Sequence, residues 1–193
     1  MRWLSIVLTL GMAAPAPAEV PDTKAAKKSL FSLRGYQVQV SENLSDGDAA
    51  TVKAIVSLMA QQLRQPVRYY AAIAWSPDDG LVHDSIQAAM NYHSVDAAGK
   101  AAVDACMPLR SKGAATCQVA AVIVPKRYKE RDLTLSLDAT AAFDKKYRKT
   151  KSPKAFAISR SGGGWGMDAT EAGAVSACEA SSGVNDCVVV IRD

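Results

Sequence analysis

The sequence predicts an α+β fold: an antiparallel sheet with packed helices, arranged as two pseudo-repeated hairpin-helix-strand units with one disulfide each. Three observations predict it. A segment ending in cysteine occurs twice, short apolar runs bounded by turn formers precede both copies, and the four cysteines fall at matching places. Asp96 to Cys106 and Asp168 to Cys178 agree at six of eleven positions: Asp, Ala, Ala, Val, Ala and Cys. Upstream, Ala72-Ile73-Ala74-Trp75-Ser76 matches Ala155-Phe156-Ala157-Ile158-Ser159, and each serine is followed four residues later by a glycine, Gly80 or Gly163. Downstream, Cys117-Gln118-Val119 matches Cys187-Val188-Val189. Three blocks in the same order point to a repeated structural unit.

Taken in chain order, Met1 to Ala18 read as a secretory leader. Arg2 precedes an uncharged apolar run from Trp3 to Ala14, and Ala16-Pro17-Ala18 places small residues at the positions a signal peptidase inspects. The run is shorter than the ~20 apolar residues that span a bilayer, although an uncleaved N-terminal anchor is the alternative. No cysteine near the cleavage point supports a lipid anchor. Cleavage after Ala18 takes 18 of 193 residues and the one charge of Arg2, leaving 175 residues and lowering the formal charge from +4 to +3. The expected address is the periplasm or the medium, with no transmembrane segment after cleavage. So mild a positive balance does not imply nucleic acid.

Residues 19–69 form an N-terminal extension of strand and helix. Tyr36, Val38 and Val40 alternate in an expected edge strand over Phe31 to Val40. Asp46 to Gln65 carries the stripe Val52, Ile55, Val56, Met59 and Leu63, which predicts an amphipathic helix stopped by Pro66. Residues 70–193 hold the repeat: unit one over 70–125, a basic linker helix over 126–153, and unit two over 154–193. In unit one, Ser76-Pro77-Asp78-Asp79-Gly80 is a turn, and Leu81 to Ser85 is the expected return strand. In unit two, Ser159 to Gly164 supplies the turn and Trp165 begins the return. Asp96 and Asp168 stand where helix N-caps are expected. Gln118 to Val124 and Val188 to Ile191 are the closing strands, and Leu137 to Arg148 is a helix between the units. Unit one carries about eleven extra residues, centred on Ile86 to Asn91.

Four cysteines in an exported chain imply two disulfides, with three possible pairings. The repeat selects Cys106–Cys117 and Cys178–Cys187, each stapling a helix end to the next strand.

Few residues suggest chemistry. His83 and His93, the only histidines, could join Asp78, Asp79 and Asp84 in a metal or general-base site, the basis of an alternative reading as a small hydrolase or metal-dependent enzyme. Zinc-ligand spacing and helix motifs are absent from the sequence. Ser159 to Gly166 is glycine-rich but lacks the lysine and hydroxyl of a phosphate-binding loop. No serine occupies a nucleophile elbow. Trp75 and Trp165 read as core packing. No catalytic residue and no cofactor is assigned. The tract Lys145-Lys146-Tyr147-Arg148-Lys149-Thr150-Lys151, with Lys154 behind it, could instead dock an anionic partner.

The pattern Ala72-Ile73-Ala74, Gly80, Ala98, Ala102, Cys106 and Cys117-Gln118-Val119 resembles the secreted bacterial family called domain of unknown function 4189. A weaker second copy spans Ala155 to Val190. The resemblance covers Tyr70 to Asp193 and departs from the family in the unit-one insertion and in lacking further cysteines. It carries no catalytic residues. Relatives that look like envelope inhibitor or immunity proteins imply a protein-binding role. Similar exported chains also carry the label 5-aminolevulinate synthase, which this sequence does not support. That activity belongs to a much longer cytosolic pyridoxal-phosphate enzyme, and no lysine site for the cofactor is recognisable. The expectation is therefore a non-enzymatic binding or inhibitor-like module whose partner is another envelope protein or an anionic envelope component.

Overall fold

A computed structural model describes residues 19–62, 64 and 67–193. The leader expected over residues 1–18 lies outside them, as do Leu63 and Pro66. The chain is α+β, with two antiparallel sheets. One sheet contains β1 (Tyr36–Val40), β2 (Ala71–Trp75), β3 (Gln87–Ala89) and β4 (Gln118–Pro125) in the order β1-β4-β2-β3. The other contains β5 (Ala155–Ser159), β6 (Trp165–Asp168) and β7 (Cys187–Arg192) in the order β6-β5-β7. The helices are α1 (Thr23–Ser29), α2 (Asp46–Gln62), α3 (Val95–Cys106), α4 (Leu137–Lys145) and α5 (Glu171–Ser182). No described helix is long and apolar enough to cross a membrane.

Strands β2 and β5 are buried at every residue, because helices cover both faces of each sheet. Side-chain size sorts those faces. Ala72 and Ala74 of β2 meet Ala98, Ala102 and Cys106 of α3, while Ala71, Ile73 and Trp75 pack with Val52 and Val56 of α2. In the second sheet, Ala155 and Ala157 meet Ala174 and Cys178 of α5. Phe156 and Ile158 pack with Ala139 and Phe143 of α4, Tyr147, and Ala26 of α1. In both units small residues bring the disulfide-bearing helix close to the sheet, and larger ones fill the opposite layer.

The two units share more than composition. Central strands β2 and β5 each pair with a return strand and a closing strand, and each ladder to the closing strand shifts register at a matching place, Ile73/Ala74 and Phe156/Ala157. Cys106–Cys117 and Cys178–Cys187 are both bonded, with Cα atoms 6.1 Å apart in each pair and separations of 11 and 9 residues. Loops of that size suggest about 3 kcal/mol per bridge from restricting the unfolded chain. Replacing Cys178 and Cys187 together by alanine is therefore expected to lower stability by about that amount, read from urea unfolding followed by circular dichroism. An unchanged midpoint would show the bridge to be energetically idle.

Three local expectations are corrected. The N-caps are Ser94 and Thr170, not Asp96 and Asp168: their hydroxyls accept from Ala97 N at 3.1 Å and Gly173 N at 3.0 Å. Asp96 lies inside the first turn of α3, whereas Asp168 ends β6 and accepts from the amide and hydroxyl of Thr170. The unit-one return strand is Gln87–Ala89, not Leu81 to Ser85. Residues 77–85 instead form successive turns anchored by buried Leu81 and Ser85. The extra residues of unit one therefore lengthen the β2–β3 loop, and the segment Ile86 to Asn91 contains the strand itself. Helix α4 ends at Lys145, and Tyr147–Lys149 form a 3-10 turn rather than a continuation to Arg148. The edge strand forms over Tyr36–Val40, paired with β4. At the start of α2 the Ser45 hydroxyl accepts from Asp48 N at 3.1 Å and donates to the Asp48 carboxylate at 2.7 Å.

Candidate functional site

The basic tract is built into the second core rather than strung between units. Phe143 and Tyr147 are fully buried, and Tyr147 packs edge-on against Phe156 with ring centroids 5.5 Å apart. Its hydroxyl donates to Lys154 O at 3.1 Å, and burial pushes the phenol's pKa up. With this ring as anchor, Lys145, Lys146, Arg148, Lys149 and Lys151 are all exposed.

Lys154 is different. It is 7 % exposed, donates to Tyr147 O and Thr150 O at 3.1 and 2.9 Å, and pairs with Asp193 at 3.1 Å. Burial alone would raise the Asp193 carboxyl, but Thr23 and Lys154 outweigh it and hold it below the usual carboxylate range. Lys154 therefore secures Asp193 and offers no charge to a partner.

The sequence reading missed the other half of this surface. Asp144 accepts from Lys27 at 2.6 Å and from Arg148 at 3.2 Å, so α1 lies beside the 3-10 turn. Between them is a depression of about 530 Å³ lined by Asp22, Thr23, Lys24, Lys27, Lys28, Arg148 and Asp193. Its two carboxylates are already occupied: Asp22 caps α1 through Ala25 N, and Asp193 receives the amide and hydroxyl of Thr23 as well as Lys154. Among the described residues, Lys24, Lys28, Lys145, Lys146, Lys149 and Lys151 take part in no ion pair, and all are exposed. The signal in sequence was the cluster of lysines over 24–28, too short to stand out until folding placed it beside the tract. A larger groove of about 810 Å³ runs beside Val188 to Val190, but acids and bases alternate on its walls. It has no dominant sign.

The histidines are held by separate parts of the chain. His83 Nδ1 lies 3.0 Å from the Ser85 hydroxyl, 3.1 Å from the Ser85 amide and 3.5 Å from Asp79, with Nε2 3.5 Å from the Ser111 hydroxyl. The row Asp79, His83, Ser111 has the order of a hydrolase triad. Its protons do not: the Ser85 N–H donates to Nδ1, which leaves the neutral ring's hydrogen on Nε2, facing Ser111. A ring in that tautomer cannot take the Ser111 proton. Asp79 accepts from Ser111 N at 3.0 Å, and bonds from Ser111, chiefly through its hydroxyl, keep its carboxyl below the usual range. Asp78 accepts from Ala115 N at 2.8 Å, and the Ser76 hydroxyl donates to Ala115 O at 2.9 Å. Together these contacts tie the long loop to the Cys106–Cys117 loop. Exposed Asp84 meets Gln87 only through its backbone carbonyl.

His93 is 3 % exposed. Its Nδ1 accepts from Ser136 N at 3.1 Å and its Nε2 donates to Gly164 O at 2.8 Å, so a neutral ring joins unit one, the start of α4 and the β5–β6 turn. Beside it Asn91, at φ +66°, exchanges bonds with Asp138, which Arg68 also reaches at 3.0 Å. Among the described residues no three His, Cys, Asp or Glu side chains group closely enough to hold a metal ion.

The glycine-rich turn is likewise committed. Ser159 accepts from Gly162 N at 2.8 Å and donates to Asp186 at 2.7 Å, which also accepts from Ser161 N at 2.7 Å. A Cβ on Gly163 would strike Asn91 O, and one on Gly164 would strike Ser182. Trp75 is 8 % exposed in the first core, and Trp165 stacks on Phe156 at 5.6 Å with planes 8° apart. Compared with known protein families, curated proteins and solved structures, the chain matches none.

Proposed function

We propose that this chain is an exported, non-enzymatic binding module of the bacterial envelope or exterior that docks an anionic partner through its basic surface. One observation carries the reading: among the described residues six exposed lysines take part in no ion pair, Lys24 and Lys28 lining a depression beside the 3-10 turn and Lys145, Lys146, Lys149 and Lys151 flanking or within that turn. A buried tyrosine holds that turn in place, so the charge is displayed on a fixed framework rather than on a loose linker. Two disulfides support the exported address, since such bridges persist in oxidising compartments. The matched strand order and register shift support an internal duplication, and with the cysteine placement they support kinship with the domain of unknown function 4189.

The test compares where charge is removed, not merely how much. On a sulfated polysaccharide resin the full chain is expected to be retained at low salt. A variant with Lys145, Lys146, Lys149 and Lys151 all changed to glutamine is expected to elute at less than half the salt concentration. A control losing the same charge at Lys53, Lys100, Lys112 and Lys129 should elute near the unaltered protein. Equal elution of both variants, or failure of the unaltered chain to bind, would remove the basis for this reading.

A further inference from the structure

We infer that the anionic partner is a lipid bilayer surface, on which the face formed by α1 and residues 145–151 settles without inserting. This rests on the docking role proposed above and names its partner. The composition of the face decides between a membrane and an acidic protein. Protein interfaces concentrate their energy in aromatic residues and arginine and are depleted in lysine. Here seven lysines accompany one arginine, Arg148, whose guanidinium is tied to Asp144. The aromatic residue at the centre, Tyr147, is buried beneath the surface rather than presented on it.

Lysine is a compact point charge on a flexible stem. It follows a diffuse field of headgroup phosphates well and lacks the planar fork that reads a fixed carboxylate. Clusters of four to eight basic side chains are what anionic leaflets attract, at roughly 1 kcal/mol per residue held near the surface, or about fivefold in partitioning. The depression between Lys24, Lys28 and Arg148 gives one headgroup a place to sit. Among the described residues nothing on this face can enter the acyl region: the exposed large apolar side chains Leu58, Val82, Met107, Leu109 and Val184 all belong to other segments. Binding is therefore electrostatic and reversible by salt.

The experiment uses the full chain with both disulfides formed, and co-sedimentation with vesicles of phosphatidylglycerol and phosphatidylcholine, or of phosphatidylcholine alone. Polyglutamate of matched charge serves as a soluble competitor standing for an acidic protein. The expected result is binding to the anionic vesicles at 25 mM salt, release by 500 mM salt and no binding to neutral vesicles. Lys149→Glu with Lys151→Glu should weaken partitioning at least twentyfold, and Lys24→Glu with Lys28→Glu independently by a similar factor. Either pair suffices if the other fails to fold. Binding to polyglutamate with none to anionic vesicles would overturn the lipid assignment and leave the docking role standing. Binding to neither would overturn both. Equal binding to neutral vesicles would overturn the electrostatic account.

Discussion

His93→Ala is expected to lower stability by about 2 to 4 kcal/mol, because it strands the buried Ser136 N–H and empties the space of a buried ring. The Ser136 N–H lies in a buried environment, so losing the imidazole leaves an unpaired donor at the junction, whereas Gly164 O keeps the Ser159 N–H at 3.0 Å. An unpaired buried donor costs about 1–3 kcal/mol, and the cavity left by the ring adds to it. Domain stabilities are of order 5–15 kcal/mol, so the loss is a large fraction of the total.

The same ring makes the junction sensitive to acid. Burial lowers the His93 pKa, opposed in part by the Gly164 and Gly163 carbonyls and by Asp186. The folded chain therefore takes up this proton at lower pH than the unfolded chain, whose histidine titrates near about 6.5. Between those two values the unfolded state binds more protons, and stability falls as pH drops below about 6.5. Protonation also places a new Nδ1–H against the Ser136 N–H, two donors facing each other. The carboxylates of Asp79, Asp168, Asp186 and Asp193, all held below their usual range, add a separate loss at more acid pH, below about 4. Urea midpoints measured from pH 4.5 to 7.5 should fall towards acid in the unaltered protein and be nearly flat in His93→Gln. A flat profile in both would show that His93 does not titrate on unfolding in this range.

Gly166→Ala is the second large effect, with an expected cost of about 3 kcal/mol or more. Gly166 is buried in the middle of β6, where α5 crosses so closely that a Cβ would fall on Cys178 N and Ala174 O. Both are main-chain atoms of a helix stapled to β7 through Cys178, so the collision cannot be relieved by turning a side chain. Overpacking of a well-filled core costs about 1–3 kcal/mol even when side chains can give way. Gly183→Ala provides the contrast. That residue ends α5 at φ +72°, and its Cβ would meet nothing within 4 Å, so only backbone strain of about 1 kcal/mol is expected. Thermal melts of the two variants should separate clearly. Equal midpoints would mean that α5 shifts freely over β6, contrary to the packing described.

Much of the fold was legible because its signals are local. Runs such as Ala-Ala-Ile-Ala-Trp and Ala-Phe-Ala-Ile-Ser announce buried strands, and the stripe from Val52 to Met59 announces the face of α2. Matching the two segments of sequence paired the cysteines correctly, because the strands and helices around each pair have the same order and bring each pair to the same Cα separation of 6.1 Å. Errors arose where two polar residues competed for one local role. Ser94 and Asp96, or Asp168 and Thr170, are equally good N-caps by type, and only the path of the chain off the preceding strand selected the hydroxyls. The return strand of unit one was misplaced for a related reason. Asp78 and Asp79 find partners at Ser111 and Ala115, more than thirty residues away, and those bonds hold 77–85 in turns.

By itself, then, the sequence determined the α+β class, the order of strands and helices in each unit, the two sulfur bridges and the exposed tract of lysines. Period and spacing along the chain suffice for these. Tertiary structure alone decided that His93 is a buried brace rather than a ligand, that Lys154 secures Asp193, and that the lysines of α1 stand with those of 145–151. Each depends on a partner 39 to 117 residues distant. Such partners come together only when packed helices and sheets bring remote segments into contact, and no local pattern encodes them.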